Sequence, residues 1–446
     1  MAEVVEKLVA ALGKRVLTDS ESIRSAQFDR SGKHPDGLPL CVVEAHSTED
    51  VVEVLRIAQQ ERTAVVTRGG GSGLAGGAVS GEGEIVLSLA KMNQILEISR
   101  ENRWARVEAG VINEDLNNAA KEHGMWFAPD PASRAWSTVG GNIATNAGGL
   151  LCTKYGVTRE AVRELKVVLA SGDVLTLGHK SVKGVSGFDL VSLFVGSEGT
   201  LGVITEALVS LKPVDKNPVW TLTATAPTSL LATRAVQETI SGGLAPSVME
   251  LVDDRCAEYI SSYLGQPLSP GTRLIAQTDG ADAPAEAKRI AKVWEMCGLE
   301  VRIADESEDL IAFRRAMLPA LEAKGKVLIE DVAVPLSQLS NMFAAIREIE
   351  EKYGLVIPTV AHAADGNLHP NFIYTTEEIP KEVWQAADEL FQAALALGGT
   401  LTGEHGVGIL KKQWLQQELG QTQWELQLEI KRIFDPSGIL NPGKIF

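Results

Sequence analysis

TAVVTRGGGSGLAGG, residues 63–77, decides how this chain is to be read. TAVVT has the composition of a buried strand. It runs directly into residues 68–77, of which six of ten are glycine. Within that span GSGLAG (71–76) matches G-x-G-x-x-G, the fingerprint of a Rossmann dinucleotide site. A Rossmann loop must open a helix whose N-terminus receives the pyrophosphate. Here the chain runs on through GAVSGEGE into EIVLSL (84–89), another strand, and no Lys-Ser/Thr pair follows to make a P-loop. The stretch still has the composition of an anion cradle: successive N–H groups can converge, no Cβ blocks approach, and Arg68 adds charge. A plain flexible turn is the alternative, at a large entropic cost for so many glycines.

Two further glycine clusters follow, PDPASRAWSTVGGNIATNAGG (129–149) and VGSEGTLGVITEA (195–207). Three clusters in one block point to one long ligand touched by backbone at several places. Around them, RWARVEAG (103–110), LKVVLASGDVLTLG (165–178) and LGVITEALVSLKP (201–213) read as strands. INEDLNNAAKEHG reads as a helix closed by Gly124. Ser47 with Asp50 makes a capping box ahead of the helical VVEVLRIAQQ. The prolines and mixed charges of KPVDKNPVW (212–220) mark a linker. Beyond it TSLLATRAVQETI, PAEAKRIAKVWEMCG, LSNMFAAIREIEEKYG and KEVWQAADELFQAALALGG have amphipathic helix patterns between strands. That segregation suits an antiparallel sheet covered by helices, and an α+β class for the whole.

A chain of 446 residues exceeds one hydrophobic core, so two or three domains are expected. Lys plus Arg is 42 against 58 Asp plus Glu, a net charge of -16 that repels nucleic acid and anionic lipid. Cys41, Cys152, Cys256 and Cys297 are scattered, with no Cys-x-x-Cys pair, which speaks for reduced thiols in a cytoplasmic protein. MAEVVEKLVAALGKR reads as an amphipathic helix rather than a signal peptide. No stretch reaches the roughly 18 to 20 apolar residues of a membrane span.

Two of only seven histidines fall in AHAADGNLHPNF (361–372). Gly366 and Pro370 argue against a helix. If Asp365-Gly366 is the two-residue turn of a hairpin, Ala364 faces Asn367, Ala363 faces Leu368, and His362 faces His369. The imidazoles then share one face with Cβ atoms about 5 Å apart, a separation that suits two ligands of one metal ion.

Together the three glycine clusters resemble the FAD-binding domain of the vanillyl-alcohol oxidase/PCMH flavoprotein family, which binds FAD through a glycine loop without a Rossmann helix. The second block resembles the FAD-linked oxidase C-terminal domain. HAADGNLHP, TGEHGVG (402–408) and FDPSGILNPGK (434–444) place the resemblance nearest glycolate oxidase FAD subunits and D-lactate or D-2-hydroxyglutarate dehydrogenases. It implies a PCMH-type FAD domain of two α+β subdomains at 35–214, after a helical lead-in at 1–34. A substrate or cap domain follows at 215–446, its tail 430–446 returning to the FAD domain.

The resemblance implies that Arg68, Gly69, Gly70, Gly71, Ser72 and Gly73 hold the pyrophosphate. Pro129, Asp130, Ser137, Gly140, Gly141, Ala144, Thr145, Gly148 and Gly149 would line the flavin and its chain. Gly202, Val203 and Ile204 would meet the adenine side, and Asn441 would return to the flavin. Some members attach FAD through a loop histidine; Ser72 stands at that position, so the expected flavin is non-covalent. His362, His369 and Glu404 would hold a divalent metal (zinc, manganese or iron). His405 would be the general base, and Arg314 in LIAFRRAML (310–318) would clamp the substrate carboxylate, with Arg315 the competitor.

The implied reaction is oxidation of a small D-2-hydroxy acid, D-lactate or glycolate, by hydride transfer to FAD. Electrons would leave to a protein or quinone acceptor, and the chain would be a homodimer or part of a hetero-complex, cytoplasmic or peripheral at the membrane. A flavin-assisted transferase resembling alkylglycerone-phosphate synthase and a non-catalytic FAD relay subunit are the rival readings. Ala364 replaces the family's usual glycine before Asp365, and Leu336 replaces a frequent basic residue. A lysine of some 2-hydroxyglutarate enzymes is absent near that strand, which weighs against a dicarboxylate.

Overall fold

The computed structural model describes residues 2–267, 269–304 and 313–446. The chain divides into two compact units, neither of them continuous in sequence. The first comprises residues 1–148, 156–214 and 404–446; the second comprises 149–155 and 215–403. The class is α+β.

In the first unit the strand predicted at 63–67 spans Val65–Arg68, and that predicted at 84–89 spans Ile85–Ser88. They pair in parallel, Arg68 opposite Ser88. No helix lies between them, so the glycine loop connects two strands of one sheet, contrary to a Rossmann unit. Cys41–Glu44 and Val16–Leu17 complete this four-stranded sheet. Val54, Leu55 and Ala58 of the helix Thr48–Glu61 join its core with Val43, Val65 and Ile85. Ser47 caps that helix by accepting from Asp50 N, while the Asp50 carboxylate accepts from His46 N at 2.8 Å, a capping box displaced by one residue.

A five-stranded antiparallel sheet follows, with Val203–Ser210 at its centre between Trp104–Glu108 and Val162–Val168. The helix Asn113–Glu122 buries Leu116 and Ala120 on the core that this sheet forms with Val107, Leu165 and Phe194. The C-terminal segment enters the unit as an extra edge: Leu440 bridges Val65 in parallel, and Asn441 N donates to Val65 O at 2.8 Å.

Among the described residues, the second unit is built on an eight-stranded sheet whose central strands are Thr272–Thr278, Val248–Val252, Thr359–His362 and Asn367–Tyr374. Every pairing in it is antiparallel. The four predicted helices appear as Ser229–Ser241, Ala283–Met296, Leu339–Tyr353 and Lys381–Ala396, each with an apolar stripe buried. The segment 149–155 is tied to this unit by Tyr155, whose hydroxyl donates to Asp279 at 2.6 Å, and by Thr153, which donates to Asp365 at 3.0 Å. No helix among the described residues is long and apolar enough to cross a membrane.

Candidate active site

The hairpin that carries the paired histidines differs from its two-residue expectation. His362 lies opposite Asn367, and His369 lies opposite Val360. The connection has four residues, a single 3-10 turn over Ala363–Asp365 closed by Gly366 at φ 71. Val334 O lies where a Gly366 Cβ would be, so both φ and space demand glycine there. The register is displaced by two, not one, and the side-chain period of a strand is two; both histidines therefore keep one face. They meet as diagonal neighbours, ring centroids 5.1 Å apart and planes at 83°, and both are buried.

Sequence reading missed the group behind them. Glu250 stands directly opposite His362 on the adjacent strand Val248–Val252 and is fully buried. His362 Nδ1 lies 2.6 Å from Glu250 Oε1, and Arg314 Nε donates to Glu250 Oε2 at 2.7 Å. Burial alone would raise the Glu250 carboxyl, but His362 and Arg314 outweigh it and hold the group below the ordinary glutamate range. Arg315 is exposed, so Arg314 is the arginine of this pair that turns inward. Of the stretch that carries it, residues 310–312 lie outside the described residues. The signal for Glu250 was available: it is the lone charged residue inside VMELV, a run otherwise apolar.

A second buried carboxylate, Asp331, lies near the other imidazole. Asn367 Nδ2 donates to Asp331 Oδ1 at 2.6 Å, and Thr402 Oγ1 donates to Oδ2 at 2.7 Å. His369 Nδ1 lies 3.8 Å from Asp331 Oδ1. Gly403 packs so closely on Asn367 that a Cβ there would overlap its carboxamide. Gly403 thus lies beside the strand that carries His369.

In the first unit the glycine loop is shaped partly by protein and partly by open space. Gly69 and Gly70 abut Thr138 and the Trp136 carbonyl, so a side chain at either would collide. Gly71, at φ 68, lies under the Arg68 guanidinium, which donates to Phe28 O at 2.7 Å. The charge of Arg68 is therefore shared with Phe28 and the neighbouring Asp29, a group the sequence reading did not single out. A Cβ at Gly73 would find only Asp29 Oδ2, at 3.7 Å. Ser72 occupies the loop with no histidine beside it.

The second cluster folds as a short helix, Val139–Thr145, capped by Thr138 and ended by Asn146 in the left-handed region. Gly140 is glycine because a Cβ would meet Ala109 Cβ at 2.6 Å. Gly141 O accepts from Thr145 Oγ1 at 3.2 Å, and Ala144 O accepts from Glu198 N at 2.8 Å. Pro129 O accepts from the buried Asn113, and Asp130 follows it half-buried. Gly202 is fixed by the core, since a Cβ would meet Val167 at 2.6 Å; Val203 and Ile204 continue into the central strand. Gly149 belongs to the second unit, its carbonyl accepting from Cys152 N. The buried Thr67 Oγ1, Ser137 Oγ, Ser197 Oγ and Asn441 Oδ1 have no protein partner. Orphaned polar atoms beside glycine-lined backbone are what a polar cofactor such as FAD would satisfy, so this donor set fits it.

Glu404 and His405 belong to the first unit. The Glu404 carboxylate lies against Gly148, where no Cβ could stand, and His405 Nε2 lies 3.9 Å from Glu404 Oε1. Their loop is held by Glu198, which accepts from Val407 N at 2.7 Å and Gly408 N at 2.9 Å. Burial pushes the Glu198 carboxyl up to about 7. Glu198 is the lone charged residue in VGSEGTLGVI, the trace by which sequence could have found it.

Comparison with known proteins now bears on these two units. Residues 39–178 match the family model described as "FAD binding domain", and residues 219–445 match "FAD linked oxidases, C-terminal domain". The chain is 38% identical to glycolate oxidase subunit GlcD of Bacillus subtilis, over 100% of this chain and 97% of that one. It is 34% identical to D-lactate dehydrogenase of Anaerostipes hadrus, over 99% and 97%. Among solved structures, p-cresol methylhydroxylase with substrate bound superposes with a TM-score of 0.83 over 100% of this chain and 96% of that chain, at 19% identity, which speaks to fold alone. The expected PCMH-type FAD domain and FAD-linked oxidase C-terminal domain are therefore both present. The chain belongs to the FAD-linked oxidase family and is an FAD-linked oxidoreductase of the glycolate oxidase/D-lactate dehydrogenase type.

Proposed function

We propose that this protein oxidises a small D-2-hydroxy acid, D-lactate or glycolate, at a site where a divalent cation is held by His362, His369 and Glu404. The observation that carries this reading is the hairpin: two buried imidazoles 5.1 Å apart, one of them braced by the same carboxylate that anchors Arg314. Zinc, manganese and iron(II) all suit such a nitrogen and oxygen set. In the same reading the glycine loop 68–73, the 129–149 cluster, Gly202 to Ile204 and Asn441 hold a non-covalent FAD.

When bound, FAD accepts the hydride lost from the substrate Cα, and the cation lowers the acidity barrier of the hydroxyl. That barrier is large, because an alcohol is a far weaker acid than the imidazolium of histidine; the gap is on the order of 11 kcal/mol. Arg314 holds the carboxylate through its terminal nitrogens, since its Nε is already engaged by Glu250. His405 takes the hydroxyl proton. The word "subunit" in the name of the Bacillus relative supports a place within a hetero-complex; a protein or quinone is the proposed electron acceptor.

The test is anaerobic titration of the flavoenzyme with D-lactate, glycolate and D-2-hydroxyglutarate, with metal analysis of the same sample. Bleaching of the flavin by D-lactate or glycolate, lost after chelation and restored by a divalent metal, is the expected result. Absence of bleaching by all three acids in metal-replete protein would refute the proposal.

A further inference from the structure

We infer that Glu250 is a positioning residue that serves two parts of the substrate site at once. Through Oε1 it fixes His362 with the ring proton on Nδ1, so that Nε2 carries the lone pair. Through Oε2 it fixes Arg314 by Nε, leaving the terminal nitrogens for a substrate carboxylate. The cation that Nε2 would meet rests on the reading above; the tautomer and the arginine orientation rest on distances within one unit.

The argument begins with the strand. In VMELV, Glu250 faces His362 across one antiparallel pair, while Met249 and Leu251 turn to the other face. No water reaches the carboxylate, so its lone pairs must be satisfied by protein. The partners are His362 Nδ1 at 2.6 Å and Arg314 Nε at 2.7 Å, one on each oxygen. An ionised carboxylate only accepts, so each nitrogen must donate. For a neutral imidazole that places the proton on Nδ1 and the lone pair on Nε2, the form a metal ligand requires. With an oxygen committed to each neighbour, Glu250 is neither a base nor a cation ligand. One rigid group therefore sets the bearing of both a ligand and an anion clamp.

Glu250→Gln breaks this logic without changing size. The amide offers one acceptor and one donor, so its NH2 must face His362 or Arg314. Facing His362 it drives the ring proton to Nε2; facing Arg314 it turns the guanidinium away.

The test uses FAD-loaded, chelator-treated protein carrying 15N-histidine. Multiple-bond 1H–15N correlations report the tautomer of His362, assigned by the signal that His362→Gln removes. The proposal expects the Nδ1–H form in wild type; in Glu250→Gln it expects that form to be lost where the amide NH2 faces His362, and KM alone to rise where it faces Arg314. Zinc added to the same samples should bind about 10–100-fold more weakly to the variant, the range for removing a group that orients a ligand histidine. KM for the hydroxy acid should rise while flavin content stays that of wild type. A wild-type His362 protonated on Nε2 overturns the proposal, and so does a Glu250→Gln protein with tautomer, zinc affinity and KM all unaltered. Should the variant fail to retain flavin, the wild-type tautomer alone decides. If wild type takes up no zinc, the metal reading falls, and the tautomer still rules for or against Glu250.

Discussion

The carboxamide of Asn441 donates to Glu198 O at 2.7 Å and to Gly77 O at 2.9 Å, so one side chain from the C-terminal segment ties the first and third glycine clusters together. Asn441 also sits at φ 43, a conformation that asparagine tolerates better than most residues. Asn441→Ala loses both bonds and the backbone preference. A loss of about 2 kcal/mol in stability is expected, read as a lower melting temperature and faster release of FAD on dilution.

Arg314 and Arg315 are separable by kinetics. Arg314→Lys keeps the charge but cannot keep both the Glu250 bond and a forked grip on a carboxylate. KM for the hydroxy acid should rise by about tenfold or more, as for loss of a charge-assisted bond worth about 1.5–3 kcal/mol. Arg315→Ala, at an exposed position, should leave KM within about twofold; equal effects from both would refute the assignment of Arg314.

Gly73 and Gly140 test whether the glycine loop is a cradle. Gly140→Ala forces its Cβ to 2.6 Å from Ala109 and should destabilise the apoprotein itself. Gly73→Ala meets only Asp29, at 3.7 Å, so the apoprotein melting temperature should hardly move while FAD binding weakens by about tenfold or more. Unchanged flavin affinity in Gly73→Ala would remove residue 73 from the pyrophosphate site.

Asp253 gives the pH dependence a sign. It caps the helix Asp254–Leu264, is fully buried, and is pushed by that burial up to about 7 from an ordinary 3.8. Between those values the folded state holds a proton that the unfolded state has released. Its contribution to stability is present below pH 3.8 and is lost as pH rises towards 7. Asp253→Asn keeps the capping acceptor and removes the proton. Unfolding free energies measured from pH 4.5 to 7.5 should fall less steeply in the variant, by up to about 1.4 kcal/mol per pH unit. A variant curve parallel to wild type would show that Asp253 does not titrate there.

Much of this was legible in the residues, for physical reasons. The glycine loop excluded a Rossmann unit because no helical pattern follows Gly77, and the structure has none. The histidine pair was legible as a pair because strand parity survives a displacement of two; its register was not. Asp365-Gly366 reads as a two-residue turn, but Gly366 N bonds back to Ala363 O and Val334 N bonds to Gly366 O. That tertiary bond, invisible locally, favours the four-residue connection. Glu250 and Asp331 escaped because a carboxylate's partner on another strand is fixed by sheet order, which spacing along the chain does not encode. The glycines at 140 and 202 read as ligand-lining, yet their residue type is dictated by Ala109 and Val167.

The interleaving of the two units sets an order of events during synthesis. The first unit needs residues 404–446, including the Leu440 bridge to Val65, whereas the second is complete once residue 403 has emerged. The half that begins the chain is therefore the last to close. Until then its parallel strand Val65–Arg68 stands with an unfilled edge, and a nascent chain stalled short of residue 440 would expose that edge to aggregation.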